Sequence, residues 1–124
     1  MNKNYALVTG GTAGIGLDIA HELASRGHNI LLTARREDRL KDIVQQLMSD
    51  YGVHADYIAA DLSEPEAPGI IFNFCDSRQY TVNILVNNAG YSINKKFHET
   101  GEDEEEKFLR VLGTSVIALT KRFI

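Results

Sequence analysis

The sequence predicts an α/β chain built on a doubly wound parallel sheet, with four strands in the order 3-2-1-4 and a final helix. Two observations lead there. Short apolar runs of strand length alternate with longer stretches of helical periodicity, the pattern of βαβ units. The first apolar run also stops at a group of glycines, Gly10, Gly11, Gly14 and Gly16, where a helical pattern takes over. Crossovers between parallel strands of this kind are right-handed. The 124 residues suffice for one domain with a modest core, so 1–124 is read as a single domain.

Taken in order, residues 5–9 form a short apolar run and read as a buried strand. A helix follows from Gly14 to Arg26, with Ile15, Ile19 and Leu23 at fourfold spacing and Gly27 at the expected C-terminal position. "NILLTA" at 29–34 is a second buried strand. Residues 37–51 are the clearest helix, since Leu40, Ile43, Val44, Leu47, Met48 and Tyr51 share one face before Gly52. A third strand is read at 53–60, a weakly helical stretch within 64–79, and a fourth strand at 82–88. The last helix runs from about Glu102, its acidic start suited to the helix dipole, with Phe108, Leu112, Val116 or Ile117, Leu119 and Phe123 as its apolar face. Gly113 is a weak point within it.

Composition narrows the function. Hydrophobic content of 44% and charged content of 24% are ordinary for a globular chain. A net charge of −4 and scattered basic residues give no nucleic-acid footprint. No apolar stretch approaches the roughly 20 residues that cross a bilayer. One cysteine, Cys75, fits a reducing compartment, and the early first strand leaves no room for a signal peptide, so a cytoplasmic location is expected. His21, His28, His54 and His98 lack metal-ligand spacing, and Cys75 reads as a small buried apolar residue.

The glycine turn carries the chemistry. A helix N-terminus offers unpaired N–H groups and partial positive charge, and glycines let a pyrophosphate approach that backbone. The spacing is G-x-x-x-G-x-G, which differs from the usual dinucleotide fingerprint, and a plain strand-to-helix turn is the competing reading. At the end of the second strand, where NAD sites place an acidic residue, stand Ala34, Arg35 and Arg36. A guanidinium pairs with a 2′-phosphate, which favours NADP(H) over NAD; the competing reading makes both arginines solvated loop charges.

These residues resemble the short-chain dehydrogenase/reductase family. "TGGTAGIG" (9–16) is similar to its T-G-x-x-x-G-x-G turn, "ADL" (60–62) to the Asp-Leu or Asp-Val pair after the third strand, and "NNAG" (87–90) to the signature after the fourth. The resemblance covers the chain from Tyr5 onward and about the first half of a typical member. It implies a Rossmann-like fold and a dinucleotide cofactor, with Asp61 near the adenine. Together the readings assign cofactor contacts to Gly10, Thr12, Ala13, Gly14, Ile15, Gly16, Arg35, Arg36, Asp61, Leu62, Asn87, Asn88, Ala89 and Gly90. For Asn87 and Asn88, bonding to neighbouring backbone is an equal alternative.

The resemblance also implies a serine, a Tyr-x-x-x-Lys pair and an asparagine that together serve hydride transfer between nicotinamide and a carbonyl or alcohol. Tyr91 and Lys95 have that spacing but directly follow "NNAG", in an expected loop, where four-residue spacing does not align two side chains. The asparagine position is read as Leu112. No catalytic residue is therefore assigned. The chain is expected to be the cofactor-binding half of an oxidoreductase, inactive alone, or a non-catalytic dinucleotide-binding module. "NILVN" (83–87) would form an open sheet edge, so a homo-oligomer or a missing C-terminal half is the expected partner.

Overall fold

The computed structural model describes residues 3–90 and 96–124. The elements run β1 (Asn4–Thr9), α1 (Gly14–Ser25), β2 (Asn29–Ala34), α2 (Glu37–Tyr51), β3 (Ala55–Ala59), α3 (Ala67–Arg78) and β4 (Thr81–Val86). A short 3₁₀ turn at Phe97–Glu99 precedes α4 (Glu102–Leu109), a π-turn at Arg110–Thr114 and α5 (Ser115–Phe123). The strands form one parallel sheet in the order β3-β2-β1-β4, as the sequence predicts.

Strand alternation divides the core into two layers. Ala6, Val8, Ile30 and Leu32 face α1 and α2, where they meet Ala20, Ala24, Leu40, Val44 and Leu47. Tyr5, Leu7 and Leu31 face the other way, onto Ala67, Ile71 and Cys75 of α3 and onto Val111 and Leu119. Because both faces are covered, β1 and β2 read as continuous apolar runs rather than alternating ones. Among the described strands β4 is an edge, paired only with β1, with one register shift between Tyr5 and Ala6.

The second strand and second helix keep their expected bounds. The third strand begins two residues later and ends one earlier than expected, and the fourth begins one residue earlier and ends two earlier, where Asn87 and Asn88 enter the loop above the sheet. Two helix faces differ from expectation. On α1 the buried residues are Gly16, Ala20 and Ala24, while Ile15 is 72% exposed. The helix lies so close to the β1 loop that only small residues fit: a Cβ on Gly16 would stand 2.5 Å from the Gly10 carbonyl oxygen. In the last helix the π-turn inserts one extra residue per turn. Leu119 is buried and Phe123 packs on the core as expected, Val111 and Ser115 join the buried face, and Leu112 and Ile117 are turned outward. Gly113 lies inside that π-turn.

Candidate functional site

The C-terminal ends of the strands open into a cleft of about 640 Å³. Its lining comes from the loop after every strand: Gly10, Thr12 and Ala13 after β1, Arg35 and Arg36 after β2, Asp61, Leu62 and Ser63 after β3, and Asn88, Ala89 and Gly90 after β4. Thr33, Ala34, Ala60, Lys107 and Val111 complete it. Open α/β sheets bind ligands at this end of their strands.

The wall between β1 and β4 is a hydrogen-bonded junction. The Thr9 hydroxyl accepts the N–H groups of Asn88 and Ala89, each at 3.0 Å, and donates to the Val86 carbonyl at 3.3 Å. The Asn88 amide donates to the Gly10 carbonyl at 3.2 Å. Gly10 has φ +67°, and a Cβ there would strike Ala89 Cα at 2.8 Å, so glycine is required on both counts. Asn88 thus serves the backbone alternative raised from the sequence. Asn87 sits outside the lining and donates to the Thr120 hydroxyl of α5 at 3.3 Å.

Gly14 opens α1 at φ +58° with no atom within 4 Å of a built Cβ. No side chain caps this helix. Its first N–H groups therefore keep their capacity for an outside acceptor, and the dipole adds to it. Gly14, Ile15 and Gly16 do not line the cleft itself. Gly16 acts by letting α1 settle against Gly10 and Asn88.

The cleft walls carry Arg35, Arg36 and Lys107 against one carboxylate, Asp61. This positive mouth belongs to a chain whose net charge is −4. Arg36 makes an exposed contact with Asp38 at 3.6 Å, a pair of little strength. Arg39, from the first turn of α2, donates to the Thr12 carbonyl at 3.3 Å and links the basic wall to the glycine turn. Partial burial pushes the Asp61 carboxyl up. The Ser63 hydroxyl and N–H, with the nearby charges of Arg35 and Lys107, outweigh that and hold it below the ordinary carboxylate value.

The structure thus brings ten of the fourteen assigned residues into one lining and leaves Gly14, Ile15, Gly16 and Asn87 outside it. Sequence reasoning did not assign Thr33, Ala34, Ala60, Ser63, Lys107 and Val111. The first four stand within two residues of assigned ones, so strand ends were the available signal. Lys107 and Val111 stand four residues apart on one helix face, and nothing in the sequence marks that face as the one that meets the cleft. Tyr91 and Lys95 lie outside the described residues. Among the described residues no three metal-binding side chains cluster, and no helix is long and apolar enough to cross a membrane.

Comparison with known proteins agrees with this geometry. A family model described as short chain dehydrogenase matches residues 4–124. A very-long-chain 3-oxoacyl-CoA reductase of Eremothecium gossypii is 36% identical over 121 residues, covering 94% of this chain and 34% of that protein. A 3-oxoacyl-acyl-carrier-protein reductase of Aquifex aeolicus is 33% identical, covering 98% of this chain and 49% of that protein. The chain therefore spans between a third and a half of these two relatives. Among solved structures, L-sorbose reductase of Gluconobacter frateurii, complexed with NADPH and L-sorbose, superposes with a TM-score of 0.90 at 30% identity, covering 98% of this chain and 46% of that one. A short-chain dehydrogenase of Sphingobium yanoikuyae in complex with NADPH gives a TM-score of 0.89 at 28% identity, covering 97% of this chain and 46% of that one.

Proposed function

Since the chain belongs to the short chain dehydrogenase family, we propose that it supplies the NADP(H)-binding part of an oxidoreductase that moves hydride between nicotinamide and a carbonyl or alcohol. One observation carries this reading: a cleft at the strand ends joins a glycine turn to a wall of arginines. The residues fit the group. The space over Gly14 and the uncapped start of α1 suit a pyrophosphate. Arg35 and Arg36 suit a 2′-phosphate, and Asp61 with Leu62 suits the base. When bound, the cofactor supplies or accepts the hydride; the described residues bind and orient it.

The serine and Tyr-x-x-x-Lys pair of the family have no counterpart assigned here, so residues 1–124 alone are expected to show no turnover. The open edge of β4 and the exposed Leu112 and Ile117 favour coverage by further protein, either a second copy or more of the same polypeptide. A cytoplasmic location fits the lone buried Cys75.

Calorimetric titration tests the reading. NADPH should bind more tightly than NADH, and Gly14→Asp, which puts charge and a side chain at the start of α1, should abolish both. Equal weak binding of both nucleotides, unchanged by Gly14→Asp, would overturn it. NADPH oxidation by the purified 124-residue chain would refute the expected inactivity.

A further inference from the structure

The stretch Asp61–Leu62–Ser63 lines the cleft, yet it lies in the loop between β3 and α3. A loop side chain directs a ligand well only when its own orientation is fixed. Here two serines from different elements fix it. Ser63 gives its N–H at 2.9 Å and its hydroxyl at 2.7 Å to the same Asp61 oxygen, Oδ1. Oδ2 accepts no hydrogen bond among the described residues. A carboxylate is planar, so holding Oδ1 sets the direction of Oδ2. One residue on, the Leu62 carbonyl accepts the Ser115 hydroxyl at 2.7 Å, in a fully buried contact across 53 positions of sequence. Ser115 stands four residues after Val111 on the same buried helix face, and Val111 lines the cleft.

We propose that Ser63 and Ser115 are positioning residues that aim Asp61 Oδ2 into the cleft as a fixed acceptor for a neutral N–H donor of the bound base. Ser63 sets the carboxylate's direction. Ser115 sets the depth of the segment that carries it. The flanking Arg35 and Lys107 keep the carboxylate ionised and disfavour a cationic donor, so an exocyclic amine is the matching group. The inference rests on the cofactor reading above and goes beyond it to two residues that need not touch the ligand.

The test compares dissociation constants for NADPH and for its hypoxanthine analogue, in which a carbonyl replaces the amine. Wild-type protein should prefer the adenine form about tenfold, the scale of one charge-assisted hydrogen bond. Ser63→Ala and Ser115→Ala should each cut that preference to about threefold or less, and Ser63→Thr should restore it. A merely structural role would weaken both ligands alike and leave the ratio at its wild-type value, which overturns the proposal. Ser63 lies on the surface loop, so its variants decide the matter even if Ser115→Ala unfolds. Tight NADPH binding with no base preference in the wild type overturns the role of Asp61 itself. Absence of NADPH binding overturns the cofactor reading instead.

Discussion

The Thr9 hydroxyl holds the backbone N–H groups of both Asn88 and Ala89 at 3.0 Å, and so one side chain joins the loop after the first strand to the loop after the fourth. Thr9 is buried, at 1% exposure. Thr9→Val keeps its shape and leaves two donors without an acceptor. The expected cost is about 2–3 kcal/mol of stability, read by urea denaturation, together with weaker NADPH binding.

The glycines of the turn should separate by role. Gly16→Ala drives a Cβ to within 2.3 Å of the Asn88 amide and 2.5 Å of the Gly10 carbonyl oxygen, so α1 must move and binding should be lost. Gly14→Ala meets no neighbour but keeps φ +58°. It should destabilise by about 1–2 kcal/mol through backbone strain and retain measurable binding. Melting curves and titrations of the two variants, side by side, check the order.

Arg35→Glu tests the coenzyme preference. Replacing a cation beside a 2′-phosphate with an anion should weaken NADPH by about tenfold or more and leave NADH within about twofold. Equal loss for both would place Arg35 away from the phosphate.

Two acids should give opposite pH signatures. Asp61 is held below its ordinary value in the fold, so its contribution is present above the unfolded-state value and disappears as pH falls through the folded one. NADPH binding should weaken over the same acid range. Cys75 behaves in reverse. Burial, helped by the negative charge of Asp56, pushes its thiol up to about 11. The folded state then keeps a proton that the unfolded state loses, and stability should fall as pH rises from about 9 to about 11. Denaturation midpoints across both ranges check the signs, and alkylation of Cys75 should need unfolding.

The strand order and most of the cleft were legible because they rest on strand ends, and strand ends are marked locally by Thr9–Gly16, by Arg35 and Arg36, and by the "ADL" and "NNAG" segments. Helix faces were less so. The fourfold series Ile15, Ile19 and Leu23 looked like a buried stripe, but closeness of α1 to the sheet selected Gly16, Ala20 and Ala24. Leu112, with Val116 or Ile117, is expected inward on a regular 3.6-residue repeat, and the helix, broken by the π-turn at Arg110–Thr114, turns Leu112 and Ile117 outward. Lys107 and Val111 as cleft residues, and Ser115 as the partner of Leu62, depend on how this helix packs over the β3 loop, which its own sequence does not show. A change of helical pitch is set by packing against neighbours far away in sequence, so it leaves little trace in local periodicity.

The bonds from Thr9 to Asn88 and Ala89 span 79 and 80 positions of sequence. Closing so long a loop carries an entropic cost before its contacts form, which delays such pairings during folding. On the ribosome, a nascent chain has its glycine turn early, yet that turn lacks its opposite wall until Ala89 has emerged. Nucleotide supplied during synthesis should therefore not be captured by the shorter intermediates. In refolding, the gain of nucleotide affinity should trail the gain of helical signal, making binding a timer for the moment when β4 docks beside β1.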